Sequence, residues 1–81
     1  MNRSEIVVGG KYEGKNGSIR DIMDEGSKFV AYPGQGDRDC VQWAGKNAKF
    51  GNCTRTAFAS WAKRRIGTIK IEAGKAARGA K

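Results

Sequence analysis

Apolar residues fall in short clusters along the first half of the chain, and glycines separate the clusters. Glycine stands at positions 9, 10, 14, 17, 26, 34, 36 and 45, with segments rich in β-branched and aromatic residues between. That spacing predicts a small antiparallel β structure with tight turns. The expected strands cover residues 6–8, 11–12, 18–24, 28–32 and 39–44. Asn16-Gly17 is a turn signal, because both residues tolerate positive φ. Residues 24–27 can close the next hairpin, and Pro33 ends the strand before it and opens a polar loop to Asp37. In 39–44, Val41 and Trp43 share one face and Cys40 and Gln42 the other. In 18–24 the alternation fails, since Ile19 and Ile22 lie three apart. A bulge, or a bend sharp enough to cover both faces, reconciles the two.

Past Cys53 the period changes. Thr54 is a fitting N-cap, and Phe58, Trp61, Ala62 and Ile66 make one apolar helical stripe. A helix over about 54–66 is expected, docked on the sheet, with Lys63-Arg64-Arg65 in its last turn and Gly67 as its stop. Residues 68–72 alternate Ile69 and Ile71 against polar neighbours, as a closing edge strand would. Residues 74–81 contain only Gly, Ala, Lys and Arg, have nothing to bury, and are expected to be a disordered basic tail. No internal repeat stands out.

Eighty-one residues fit one domain, taken as 1–73, near the size at which a single core can hold a fold. No apolar run can cross a bilayer and the first residues do not read as a signal peptide, so the expected compartment is the cytoplasm. There Cys40 and Cys53 are expected to be reduced, small buried thiols. A zinc site is not expected: the chain has no histidine, and two thiolates cannot complete a tetrahedral shell.

The stretch Gly10-Lys-Tyr-Glu-Gly-Lys-Asn-Gly-Ser-Ile-Arg-Asp-Ile22 resembles the opening of KOW-like and other SH3-like small barrels, in which a glycine turn precedes a curved strand of aliphatic residues. The continuation, with Phe29-Val-Ala-Tyr32 and Phe58-Ala-Ser-Trp-Ala62, is similar to small proteins encoded by phages and mobile elements. The resemblance spans about residues 7–66 and implies a mainly β, SH3-like antiparallel barrel carrying one α-helix. The late helix and the basic tail depart from a simple barrel of this kind. Such barrels bind RNA, DNA, peptides or proteins, so the fold does not choose the partner.

Charge narrows the choice. The chain is formally +8, and residues 46–81 carry the excess: ten basic side chains against Glu72 alone. Residues 1–45 are close to balanced. A polarised positive charge points to a polyanion, most often nucleic acid. The expected phosphate-contacting residues are Lys46, Lys49, Arg55, Lys63, Arg64, Arg65, Lys70, Lys75 and Arg78. Tyr12, Tyr32, Phe29, Trp43 and Phe50 are the candidates for stacking on bases; Trp43 and Phe29 are expected in the core, and Tyr12 and Tyr32, beside glycine-rich turns, are the first choices. The excess of Lys and Arg over base-reading side chains favours backbone contacts without sequence preference.

Catalysis has weaker support. Without histidine the commonest general base is missing. Cys53, just before the helix, could be activated by its N-terminal field, but a cysteine packed under that helix is the simpler reading. Asp21, Asp24, Glu25, Asp37 and Asp39 sit in or beside expected turns, which aspartate favours. Neither Gly9-Gly10 nor Gly34-Gln-Gly36 has the setting of a phosphate-binding loop. The expectation is a non-enzymatic, monomeric binding protein that needs no cofactor, metal or membrane. The alternative is a protein-interaction module, an accessory factor or inhibitor acting on a host protein through residues 33–37 and 12–16, in which substitutions at Tyr32 or Gln35 should dominate.

Overall fold

The computed structural model describes residues 1–69. Five strands form one antiparallel sheet: β1 (Gly10–Gly14), β2 (Ile19–Glu25), β3 (Cys40–Ala44), β4 (Phe50–Thr54) and β5 (Ala62–Thr68). The order across the sheet is β4-β3-β2-β1-β5, so four strands meander and the fifth returns to pair with the first. One short helix, α1 (Arg55–Trp61), joins β4 to β5. Thr54 caps it, its hydroxyl accepting from the Ala57 N–H at 3.0 Å. Among the described residues β4 and β5 do not pair with each other, so the sheet is not closed into a barrel.

Ile6, Tyr12, Ile22, Val41, Phe58, Ala59 and Ala62 make the core, with Met1, Trp43, Cys53 and Trp61 packed at its margin. β2 carries a register irregularity between Ile22 and Asp24. Ile22 is fully buried and Ile19 is 43% exposed. Pairing with β1 is regular from Ile19 to Asp21, so the two isoleucines take opposite faces; the irregularity falls beyond Ile22 and does not re-aim either, and only Ile22 reaches the core. The Asn16-Gly17 turn forms as expected, both residues at positive φ (64° and 73°).

Several expectations are overturned. The helix does not run over 54–66: it stops at Trp61, and Ala62–Thr68 pair with β1 from Gly14 to Gly10. Without that ladder, one edge of β1 would leave backbone groups unpaired against the core, a cost that helical periodicity over seven residues does not outweigh. The strand against β1 therefore begins at Ala62. Of the expected 68–72, Thr68 pairs with Gly10 and Ile69 N–H donates to the Gly9 carbonyl at 2.7 Å, while residues 70–72 lie outside the described residues. Residues 28–32 form no strand. Ser27–Phe29 make a 3-10 turn, and the loop is held by Gln35, whose side-chain oxygen accepts from Ala31 N–H at 2.8 Å. β3 lies directly beside β2, leaving no place in the sheet for that segment. Residues 6–8 form no strand either, although Ile6 is buried. β4 lies outside the expected strands, because Phe-Gly-Asn-Cys-Thr is a poor strand sequence. Its glycine is required by packing: a Cβ on Gly51 would stand 2.3 Å from the ring of Trp43, its partner across β3. The expected tail, 74–81, lies outside the described residues.

Candidate nucleic-acid interface

The β1–β2 and β3–β4 connections lie at the same end of the sheet and are built alike. One reads Gly14-Lys-Asn-Gly-Ser18, the other Gly45-Lys-Asn-Ala-Lys49. In both, the central asparagine adopts the left-handed conformation (φ 64° and 62°), which Asn tolerates better than most side chains. The leading glycine N–H donates to the fifth residue's carbonyl, at 2.9 Å from Gly14 to Ser18 and 2.6 Å from Gly45 to Lys49. The fifth residue's N–H returns to the lysine carbonyl, at 3.3 Å for Lys15 and 3.4 Å for Lys46. The same short sequence thus gives the same 3-10 turn twice. Pairing of Asp21 with Ala44 sets the two turns side by side.

Between them lies an open groove of about 700 Å³, lined by residues that include Lys11, Ser18, Ile19, Ala44, Lys46 and Lys49. Lys11 is ion-paired to Asp21 at 3.0 Å. Lys15, Lys46 and Lys49 are exposed and, among the described residues, meet no carboxylate. Arg20, also at the groove, holds its guanidinium between two indoles, 4.0 Å from the Trp43 ring centroid and 4.3 Å from that of Trp61. That stack ties β2 to β3 and to α1 across the margin of the core.

The acids gather at the other end of the sheet. Glu25 closes β2 and Asp39 precedes β3, and both are bound by Arg55. Asp39 also pairs with Arg3 at 3.0 Å, and Lys28 with Asp24 at 3.3 Å. Charge is therefore also sorted along the strands. Three lysines that meet no carboxylate stand at the turn end, and the ion-paired Asp24, Glu25 and Asp39 at the other, where Arg38 is exposed without an ion pair among the described residues. It is not simply a basic back half against a balanced front half.

The sequence-expected cations divide accordingly. Lys46 and Lys49 lie at the groove. Arg55 does not: only 15% of its side chain is exposed, and it binds Glu25, Asp39 and the Ile6 carbonyl. Burial alone would push its guanidinium down, but the hydrogen bonds and charges of Glu25 and Asp39 outweigh that and raise it above its ordinary value. It is a structural cation, locking the N-terminal segment to the start of α1. Lys63, Arg64 and Arg65 project from edge strand β5, not from a helix end. Arg64 is paired with Glu13 at 2.6 Å, and Arg65 donates to the Gly67 carbonyl and the Thr68 hydroxyl. Lys70, Lys75 and Arg78 lie outside the described residues.

Of the stacking candidates, Tyr12 is wrong. It is fully buried, its hydroxyl donating to the Glu5 carbonyl at 2.6 Å and accepting from Val7 N–H at 2.9 Å. Alternation along β1 forces this, since Gly10, Tyr12 and Gly14 share the core face. Tyr32 is 60% exposed, but in the β2–β3 loop at the far end from the two turns. Gln35, beside it, spends its side chain inside the loop on Ala31, Asp37 and Cys40. Trp43 lines the groove but packs against the core margin; Phe50, outside the lining but paired directly with Ala44, is 57% exposed.

Reading charge by halves missed Lys11, Lys15 and Arg20. The repeated Gly-Lys-Asn was the available signal, and it contradicts the expectation of no internal repeat. Cys40 and Cys53 are both free. Burial pushes the Cys53 thiol above its ordinary value, with the nearby charge of Arg20 only partly opposing it. Comparison with family models, curated proteins and solved structures finds no match to this chain.

Proposed function

We propose that this protein is a non-catalytic nucleic-acid-binding module, an SH3-like small barrel that offers paired lysine turns to phosphate groups. The carrying observation is the trio Lys15, Lys46 and Lys49: exposed, without carboxylate partners among the described residues, and set on two matching turns beside one groove. Arg38, Lys63 and Arg65 also meet no carboxylate among the described residues, but they are dispersed, whereas these three lysines flank one groove and add their fields there. The bulged β2 and the return of β5 to β1 support the small-barrel reading. The raised Cys53 thiol and the absence of histidine from the sequence support a non-catalytic role. Contacts of this kind read the backbone, not the bases, so sequence preference is weak.

Fluorescence anisotropy against labelled single-stranded DNA, duplex DNA and RNA at several salt concentrations tests the reading. Affinity is expected to fall with salt, by about 0.7–0.9 log units per log unit of salt for each phosphate contacted. Replacing Lys15, Lys46 and Lys49 together by alanine should weaken binding and flatten that slope. No binding near physiological salt at about 10⁻⁴ M protein, the level of weak non-specific binders, would overturn it.

A further inference from the structure

We infer that the groove takes a single strand, not a duplex, with an unpaired base stacked on Phe50. The inference rests on the nucleic-acid reading above and specifies the form of its ligand. Lys11, Asp21, Ala44 and Phe50 are successive cross-strand partners through β1, β2, β3 and β4, so they form one row on one face of the sheet. The first three line the groove. Phe50 continues their row and immediately follows Lys49 in the chain. Its ring is more than half exposed, while Trp43, Trp61 and Phe58 are drawn toward the core.

Phe50 stands opposite Ala44, whose methyl leaves the face beside the ring low and open. An exposed ring beside lysines has what an unpaired base needs: a π face for stacking and cations for the flanking phosphates. In a duplex the bases are already stacked on one another, so the ring would gain little from it. Ile19, 43% exposed in the same groove, adds apolar surface where the strand would pass. Base identity would matter little, since every base has a π face.

The test compares the wild type with Phe50→Ala, Phe50→Leu and Phe50→Tyr on oligo(dT) and on a mixed-sequence duplex of equal phosphate count. The wild type should bind oligo(dT) more tightly than the duplex. Phe50→Ala and Phe50→Leu should weaken oligo(dT) binding roughly 5- to 150-fold, the span of one lost base–aromatic stack, with the salt slope unchanged. Phe50→Tyr should keep the affinity. If Phe50→Ala stays within about twofold of wild type on oligo(dT), or loses equally on both ligands, the stacking inference fails while nucleic-acid binding stands. If the wild type binds neither ligand, the underlying reading fails as well. Sedimentation run alongside excludes the rival occupant: a dimer that Phe50→Ala dissolves, with DNA affinity intact, would assign the ring to a second copy of the chain.

Discussion

Trp61 lies on Gly14. A Cβ at Gly14 would stand 2.2 Å from Cε2 of the Trp61 ring, too close for any residue but glycine. Trp43 repeats the relationship on Gly51 at the other side of the sheet. Each indole thus takes the space of an absent side chain on a β-strand, and Arg20 fills the gap between the two rings.

Gly14→Ala and Gly51→Ala should each destabilise the fold by about 1–3 kcal/mol, the usual cost of overpacking. Gly36 is the control, because a methyl group on its Cα would meet nothing within 4 Å. Gly36→Ala should stay within about 0.5 kcal/mol of wild type. Urea denaturation of the three variants measures the contrast. Equal midpoints would show that the indoles move aside freely.

Arg20 joins two tryptophans that belong to different elements. Arg20→Met should cost about 1–2 kcal/mol through the lost cation–π contacts. Arg20→Lys should recover little of this, because a compact ammonium cannot stack flat between two rings. Tryptophan emission should change in both variants, since both indoles lose the same neighbour. A lysine variant with wild-type stability and emission would contradict the sandwich.

Tyr12 ties the N-terminal segment to β1 through its hydroxyl. Tyr12→Phe keeps the ring in its edge-on contact with Phe58, at 5.4 Å between centroids, but strands the Glu5 carbonyl and the Val7 N–H. The expected loss is about 1–3 kcal/mol in thermal or chemical denaturation. Nucleic-acid affinity, measured well below the unfolding midpoint, should not change. A selective loss of affinity with stability intact would return Tyr12 to the binding surface.

Arg55 and Lys46 should separate stability from binding. Arg55→Met leaves Asp39 and Glu25 without their shared cation and should cost about 2–3 kcal/mol, with binding by the folded fraction unaltered. Lys46→Met removes an exposed cation and should weaken binding while leaving the denaturation midpoint nearly unchanged. The reverse pattern would exchange the two roles.

Cys53 gives a pH-dependent signature. With its folded pKa raised, the native state keeps a proton that the unfolded chain loses. Its contribution to stability is therefore complete below the unfolded thiol's value, about 8.5, and is lost as pH climbs through the higher folded one. Alkylation by iodoacetamide at neutral pH should be slow in the native protein and fast in urea. Rapid native reaction at Cys53 would mean an activated thiolate.

Local chemistry written into the chain specified the character of the fold. Glycine and Asn-Gly punctuation called for a mainly β chain with tight turns, because those residues reach positive φ most cheaply. Thr54 announced the start of the helix. Signals of this kind act through the backbone of a few neighbouring residues, so they survive without tertiary context. Where α1 ends was not among them. Phe58, Trp61, Ala62 and Ile66 satisfy a helical period, yet the open edge of β1 claimed residues 62–68, since a backbone ladder outweighs a weak apolar stripe. β4 was illegible for the converse reason: Gly51 is a poor strand former chosen for the ring that lies on it. The site followed the same division. Net charge pointed to a polyanion, but only the register of β2 against β3 brought the two Gly-Lys-Asn turns together, and only the ion pairs decided which cations remained available. Those pairs join residues far apart in the chain, such as Arg3 with Asp39 and Glu13 with Arg64, and long-range neutralisation leaves no mark on a linear count of charge.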